Sequence, residues 1–209
     1  MRNPHQVTKD FEAALSEYTG APYAVAVNSC TMALTLAVAW HLRPNQPGGD
    51  WVSQITIPKR TYVSVPQAII HAGGRPVFED REWFGNYRLR PLPVLDSARY
   101  FTSGMYGDNT RGCFFCVSFH ASKTLGLEQG GAILHDSPEA DAWFRRARFD
   151  GRAEGVAPKD DTGIIMGWHC YLNPSTAAQG ILKLHSLPRH NEPLPNDDYP
   201  DLSTLECFK

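Results

Sequence analysis

The chain has 209 residues, 42% of them hydrophobic and 20% charged, with a net charge of −2. That is enough for one domain with a real core, and it gives whole-chain, nonspecific nucleic-acid binding no electrostatic support, leaving only a local patch open. The opening Met1-Arg-Asn-Pro-His-Gln has no apolar signal region and no stretch is long enough to span a membrane, so a cytoplasmic protein is the expectation.

In chain order, Phe11 to Tyr18 reads as a short amphipathic helix capped by Thr8 or Asp10, and Tyr23 to Val27 as a strand. Thr31 to His41 is an apolar helix, Val52 to Ile57 a strand and Tyr62 to Ala72 a helix. Short buried strands follow at Arg75–Phe78, Pro93–Leu95, Cys113–Val117 and Ala132–Leu134, with helices at Pro138–Arg148 and Ser175–Leu184. Strands alternating with helices predict a three-layer α/β/α domain with a mostly parallel sheet. The domain is expected over 1–184. Residues 185–209 hold Pro188, Pro193, Pro195 and Pro200 among polar residues and read as an extended arm. Five cysteines at irregular spacing argue against a disulfide framework. The Cys113/Cys116 pair invites a metal or redox reading, but in a strand residues three apart face opposite ways, so both are taken as core cysteines and no metal is expected.

Four segments carry chemistry. Lys123 lies in CVSFHASKTLGLEQGG, five residues after a strand that ends in Ser118. A lysine on a short loop behind a buried strand can be partly desolvated, which lowers its pKa and makes it a nucleophile suited to a Schiff base. Asn28-Ser-Cys-Thr31 joins a strand to a helix, and a helix N-terminus with a hydroxyl is a ready phosphate site, though plain capping by Ser29 or Thr31 explains it as well. Asp96 follows directly on an apolar strand, where sheet ligands bind; a carboxylate there can face a pyridinium nitrogen, or simply cap a helix. Tyr62 can lay its ring on a flat heterocycle, or pack in the core. Ser118 can reach the phosphate that Thr31 reaches, or form a strand-end turn.

Together, and in order from about Phe11 to Leu184, these segments resemble the DegT/DnrJ/EryC1/StrS aminotransferases, pyridoxal-phosphate enzymes of fold type I. VNSCTMAL resembles the family's SGTxAL turn, VLDSAR its EDAAQ segment, CVSFHASKTLGLEQGGAIL its SFHxxKxLxxGEGG, RARFDGR its RNHG and GWHCYLNPSTAA its GYNYRMSPIQAA. The resemblance implies pyridoxal 5'-phosphate as cofactor. Lys123 would form the internal aldimine and Asp96 would face the ring nitrogen. Thr31, the backbone at Cys30 and Ser118 would hold the phosphate, with Tyr62 stacked on the ring. His169 falls where the family reaches the phosphate of a neighbouring subunit, which implies a homodimer with shared active sites.

The departures are as informative. The segment Arg81–Pro93 is compressed, with at least one helix and one strand missing. No small C-terminal domain follows, which leaves a shallow, open cleft. Arg99 stands where relatives have Gln or His, and Cys30 replaces a Gly, which restricts φ there. Arg60 and Arg99 become substrate-binding candidates, able to meet carboxylate or phosphate. The resemblance implies transamination of an amino group on a small-molecule or nucleotide-linked substrate. Two alternatives are decarboxylation of an amino-acid-modified nucleotide or other bulky substrate, suited to an open site and to Lys59, Arg60 and Arg99, and a non-catalytic place in a hetero-oligomer.

Overall fold

The computed structural model describes residues 5–43 and 54–209; the first two residues of the expected Val52–Ile57 strand, and the first four of the chain, lie outside them. The elements are α1 (Gln6–Thr19), β1 (Tyr23–Val27), α2 (Cys30–Leu42), β2 (Gln54–Pro58), α3 (Ser64–His71), β3 (Arg75–Glu79), β4 (Tyr87–Leu89), β5 (Val94–Ser97), β6 (Phe114–Ser118), β7 (Gly131–His135), α4 (Pro138–Ala147) and α5 (Pro174–Ser186). Three single-turn 3-10 helices lie at Asp108–Thr110, Leu202–Thr204 and Glu206–Phe208.

Strand alternation builds the three layers. In β1, Val25 and Val27 join one core with α2, α3 and α4, while Ala24 and Ala26 join the other with α1 and α5. Phe114 and Cys116 of β6 and Ile133 of β7 face the first core; Phe115, Val117, Ala132 and Leu134 face the second. Both faces are therefore covered, as the apolar strand sequences require.

The direction of the sheet corrects the mostly parallel expectation. The order is β1-β7-β6-β5-β4, and only β5 and β6 run parallel within it; β1/β7, β6/β7 and β4/β5 are antiparallel. Parallel neighbours need a crossover of a dozen or more residues. The turn through 90–93 between β4 and β5 is far too short, and the loop 119–130 between β6 and β7 returns without a helix. The parallel pair β2/β3 adjoins β4 through one bridge, with Thr56 N donating to Arg90 O at 2.7 Å and Arg90 N to Thr56 O at 3.1 Å. The compressed segment thus keeps a strand, β4, that apolar periodicity had not marked.

Helix α1 starts at Gln6, so Thr8 and Asp10 are interior positions rather than caps. Its Glu12 is buried and accepts from Arg145 Nη1 (2.6 Å), from Arg148 Nη1 and from the amide of Ala26 in β1 (2.9 Å). Burial opposes the charge on Glu12, yet the two guanidiniums hold its pKa below the ordinary 4.5. Arg148, fully buried, also donates to Ala26 O at 2.7 Å and Glu154 Oε1 at 2.9 Å. This cluster ties α1 and the end of α4 to β1, one strand upstream of the α2 N-terminus. Among the described residues no helix is long and apolar enough to cross a membrane.

Candidate functional site

Three strand ends and the C-terminal segment converge on one cavity of about 300 Å³. Its walls include Cys30, Thr31, Tyr62, Asp96, Arg99, Ser118 and Lys123, so seven of the nine positions singled out in the sequence meet there.

One end is the α2 N-terminus. Ser29 caps the helix, its Oγ accepting from Met32 N at 3.2 Å, as the plainer reading of that turn had it. An α-helix still leaves its first amides without helical partners and its positive dipole end exposed. Thr31 Oγ1 lies 2.8 Å from Ser64 Oγ of α3, and Ser118 ends β6 nearby. Cys30 takes an ordinary helical backbone; Asp150 is the one non-glycine residue at positive φ among those described. The substitution for glycine is therefore unstrained, and Cys30 Sγ donates to Cys116 O at 3.4 Å.

The close approach of α2 to the sheet depends on a different glycine. A methyl group at Gly131 would sit 2.6 Å from Cys30 N and 2.7 Å from Val117 O, both backbone atoms that cannot rotate away. Gly131→Ala is expected to push the α2 N-terminus off β7, costing about 1–3 kcal/mol of stability and loosening any anion held there. Chemical denaturation together with phosphate titration of the variant checks both effects.

Asp96, in β5, is the buried acid of the cavity. Tyr87 Oη donates to its Oδ2 at 2.9 Å and Ala98 N to its Oδ1 at 3.0 Å. Tyr87 in turn shares a 2.6 Å hydrogen bond with Thr61 Oγ1. Burial raises the Asp96 pKa, and the Ala98 amide, Tyr87 and the charge of Lys123 only partly offset it. Its charge is met by neutral donors in contact and by cations only at a distance.

Lys123 sits on the loop after β6, half-buried, with its amide donating to His120 O at 2.8 Å. The loop is closed at its base by Phe119 N to Gly130 O (2.9 Å) and Leu127 N to Phe119 O (2.8 Å), and is anchored by the buried Phe119, Leu125 and Leu127. Burial lowers the Lys123 pKa first, and the charge of Arg99 lowers it further.

The C-terminal segment covers part of the cleft. From Leu187 the chain runs back across the site without regular structure before its two closing turns. Leu194 N donates to Arg99 O (2.8 Å) and Asn196 Nδ2 to Trp83 O (2.7 Å). Tyr199 stacks with Trp83 at 6.1 Å and 19°, and Asp197 forks onto Arg99. The buried Leu202 bonds to Lys59 O at 2.8 Å, while Lys59 Nζ meets Asp80 (2.9 Å) and Asp201 (3.2 Å). Asp197 and Tyr199 thereby line the cavity.

Two sequence candidates lie outside it. Arg60 is exposed, and its carbonyl accepts from Trp83 Nε1 at 2.9 Å. The exposed His169 pairs with Asp150 Oδ2 at 2.9 Å, away from the cavity of its own chain. Lys59 is held in ion pairs. Conversely Tyr87, Ser64, Trp83, Asp197 and Tyr199 had not been singled out. Only the Ser64 position, just before a predicted apolar helix face, carried any signal.

The residues present fit pyridoxal phosphate. A buried carboxylate without a contacting cation suits a protonated ring nitrogen; a desolvated amine suits the aldehyde; the α2 terminus with Thr31, Ser64 and Ser118 suits the phosphate.

The model of the DegT/DnrJ/EryC1/StrS aminotransferase family matches residues 2–83 and 95–193. The unmatched break spans β4 and Tyr87. A stretch of 73 residues is 47% identical to the spore coat polysaccharide biosynthesis protein SpsC of Bacillus subtilis, covering 34% of this chain and 17% of that protein. A putative PLP-dependent aminotransferase from Bacillus cereus superposes with a TM-score of 0.69 at 20% identity, over 86% of this chain and 58% of that one. The sugar aminotransferase CalS13 from Micromonospora echinospora gives 0.68 at 19%, over 86% and 60%. The chain therefore spans less than two thirds of these relatives, and the solved ones bear on the fold.

Proposed function

The chain belongs to the DegT/DnrJ/EryC1/StrS aminotransferase family, whose members are PLP-dependent, and we propose that its cavity holds pyridoxal phosphate on Lys123 and serves transamination of an amino group on a small-molecule or nucleotide-linked substrate. The observation that carries this reading is the meeting of Lys123, Asp96 and the α2 N-terminus around one cavity. When bound, the cofactor supplies an electron sink for the electrons of the substrate Cα–H bond. Asp96, met by the neutral donors Tyr87 and the Ala98 amide and by no contacting cation, would keep the ring nitrogen protonated. Thr31, Ser118 and the Cys30 amide orient the phosphate. Tyr62, at the rim, covers one ring face. Lys123, whose pKa burial lowers so that more of it is the unprotonated amine, would take the Cα proton and return it.

His169 is the residue we assign to the phosphate of a second copy in a homodimer; its exposed position supports that direction of reach. Residues 1–184 form the catalytic domain in this reading, and 185–209 its cover. Free cysteines, Cys207 exposed among them, agree with a reducing, cytoplasmic setting. Decarboxylation of a bulky substrate is the second reading: of the basic residues Lys59, Arg60 and Arg99, Arg99 lines the cavity, while the C-terminal segment covers part of the opening such a substrate would need. Borohydride reduction of cofactor-loaded protein, followed by peptide mass analysis, is expected to place the label on the Lys123 peptide. A label on any other lysine, or none, overturns the proposal.

A further inference from the structure

Arg99 is built into the fold, whereas its partner is not. The Arg99 side chain is 8% exposed and that of Asp197 64%. Nη1 donates to Asp197 Oδ2 at 3.0 Å and Nη2 to Oδ1 at 2.8 Å, a two-point grip on a planar carboxylate. Nη2 also reaches Pro195 O. Arg99 Nε is buried with no hydrogen-bond partner, so the fork has unspent donor capacity. The main chain of Arg99 is fixed independently, by Leu194 N on its carbonyl and by Ser97 Oγ on Tyr100 O at 2.8 Å.

The anchors of the C-terminal segment flank Asp197 rather than depend on it. Leu194 and Asn196 hold it on one side, Leu202 beneath Lys59 on the other. Beyond Arg99 the exposed Asp197 carboxylate is met by the Tyr199 side chain, and releasing both to water leaves the Leu194, Asn196 and Leu202 anchors of the roof in place. Arg99 cannot follow, and a buried guanidinium left unpaired is strongly unfavourable. A ligand that evicts Asp197 must therefore bring its own anion.

We propose that Arg99 is the carboxylate-recognition residue of this cavity, and that Asp197 occupies it in cis until a carboxylate-bearing substrate takes its place. This rests on the cavity being the reaction site, and narrows the substrate to one carrying a carboxylate within reach of the group that Lys123 serves. The resting protein is its own competitor. Neutral or cationic amines gain nothing from the exchange, whereas a carboxylate preserves the charge balance.

The test is calorimetric titration of the cofactor-free, 209-residue chain with glutarate, which has no amino group. Asp197→Asn is expected to bind glutarate about tenfold more tightly than the unaltered protein, a decade in Kd being about 1.4 kcal/mol of relieved competition. Adding Arg99→Gln to Asp197→Asn is expected to erase that gain. If the Gln variant does not fold, as circular dichroism would show, Arg99→Lys replaces it; an ammonium keeps the charge without the planar fork and is expected to lose most of the gain. Equal glutarate affinity with and without Asp197 overturns the proposal, as does a gain that survives loss of the Arg99 fork. A gain for inorganic phosphate in place of glutarate overturns the carboxylate assignment. Borohydride trapping on Lys123 is read separately on the same variants. Failure there refutes the cofactor reading and leaves the titration intact; failure of the titration leaves the trapping intact.

Discussion

Asp96→Asn is expected to lower turnover of the cofactor-loaded protein by on the order of 10²–10³-fold, the usual consequence of removing one preorganised electrostatic group, while making the cofactor-free protein more stable at neutral pH. Both effects come from the same burial. The carboxylate is held by Tyr87 and the Ala98 amide, with no cation in contact, so it is ready to compensate a ring charge and is poorly compensated without one. Its pKa is raised from the ordinary 3.8. The sign follows: a raised acid binds its proton more tightly in the folded state, so its contribution is fully present below 3.8 and is lost as pH rises through the folded value. The Asn variant lacks that loss. Kinetics with an amino-acid donor, and thermal melts of cofactor-free protein on the acid and neutral sides, measure the two halves. A variant that is both active and no more stable than its parent would show that Asp96 merely closes the turn after β5; no helix follows it to be capped. Such an opposition between stability and activity is common where a site holds a strained charge.

Glu12→Gln is expected to destabilise the fold by about 3–5 kcal/mol, the range for breaking a buried ion pair from one side. The change leaves Arg148, fully buried, with Glu154 alone and removes the counter-charge that Arg145 shares. Because Glu12 has a lowered pKa, its stabilisation is complete above 4.5 and is lost as pH falls through the folded value. The unaltered protein should therefore lose stability steeply in acid, and the Gln variant, already deprived, less steeply. Replacing Glu12 and Arg148 together by apolar residues is expected to recover much of the loss. Urea unfolding across pH reads all three. A Gln variant within 1 kcal/mol of its parent (about the size of a surface pair) would mean that water reaches the cluster.

The parts of the site legible from the sequence were those whose chemistry is local. Lys123 and Ser118 belong to one strand and loop, Cys30 and Thr31 to one helix start, Asp96 to one strand end, and in each the flanking apolar run places the polar residue at the rim of the sheet. Tyr87 was hidden because β4 is only three residues long, too short for an alternation to show. Asp197 and Tyr199 were hidden because proline-rich polar sequence reads as an arm wherever it goes; its docking depends on Arg99, Trp83 and Lys59, all distant in the chain. Arg60 was overvalued for the same reason in reverse: a cation beside a site residue in sequence turned outward in space. Strand direction failed because apolar runs carry no arrow; the return of β6 into β7 is set by the loop that holds Lys123.

Helix α1 packs its buried Phe11 against Gly180 of α5, where even a methyl group would come within 2.6 Å of the ring, and β1 finds its sheet neighbour in β7. One face of α1 and β1 thus finds its apolar partners only far along the chain, in β6, β7 and α5. Closing contacts over such separations carries a large loop entropy and slows folding, and until they form the apolar face of that helix stays exposed to aggregation.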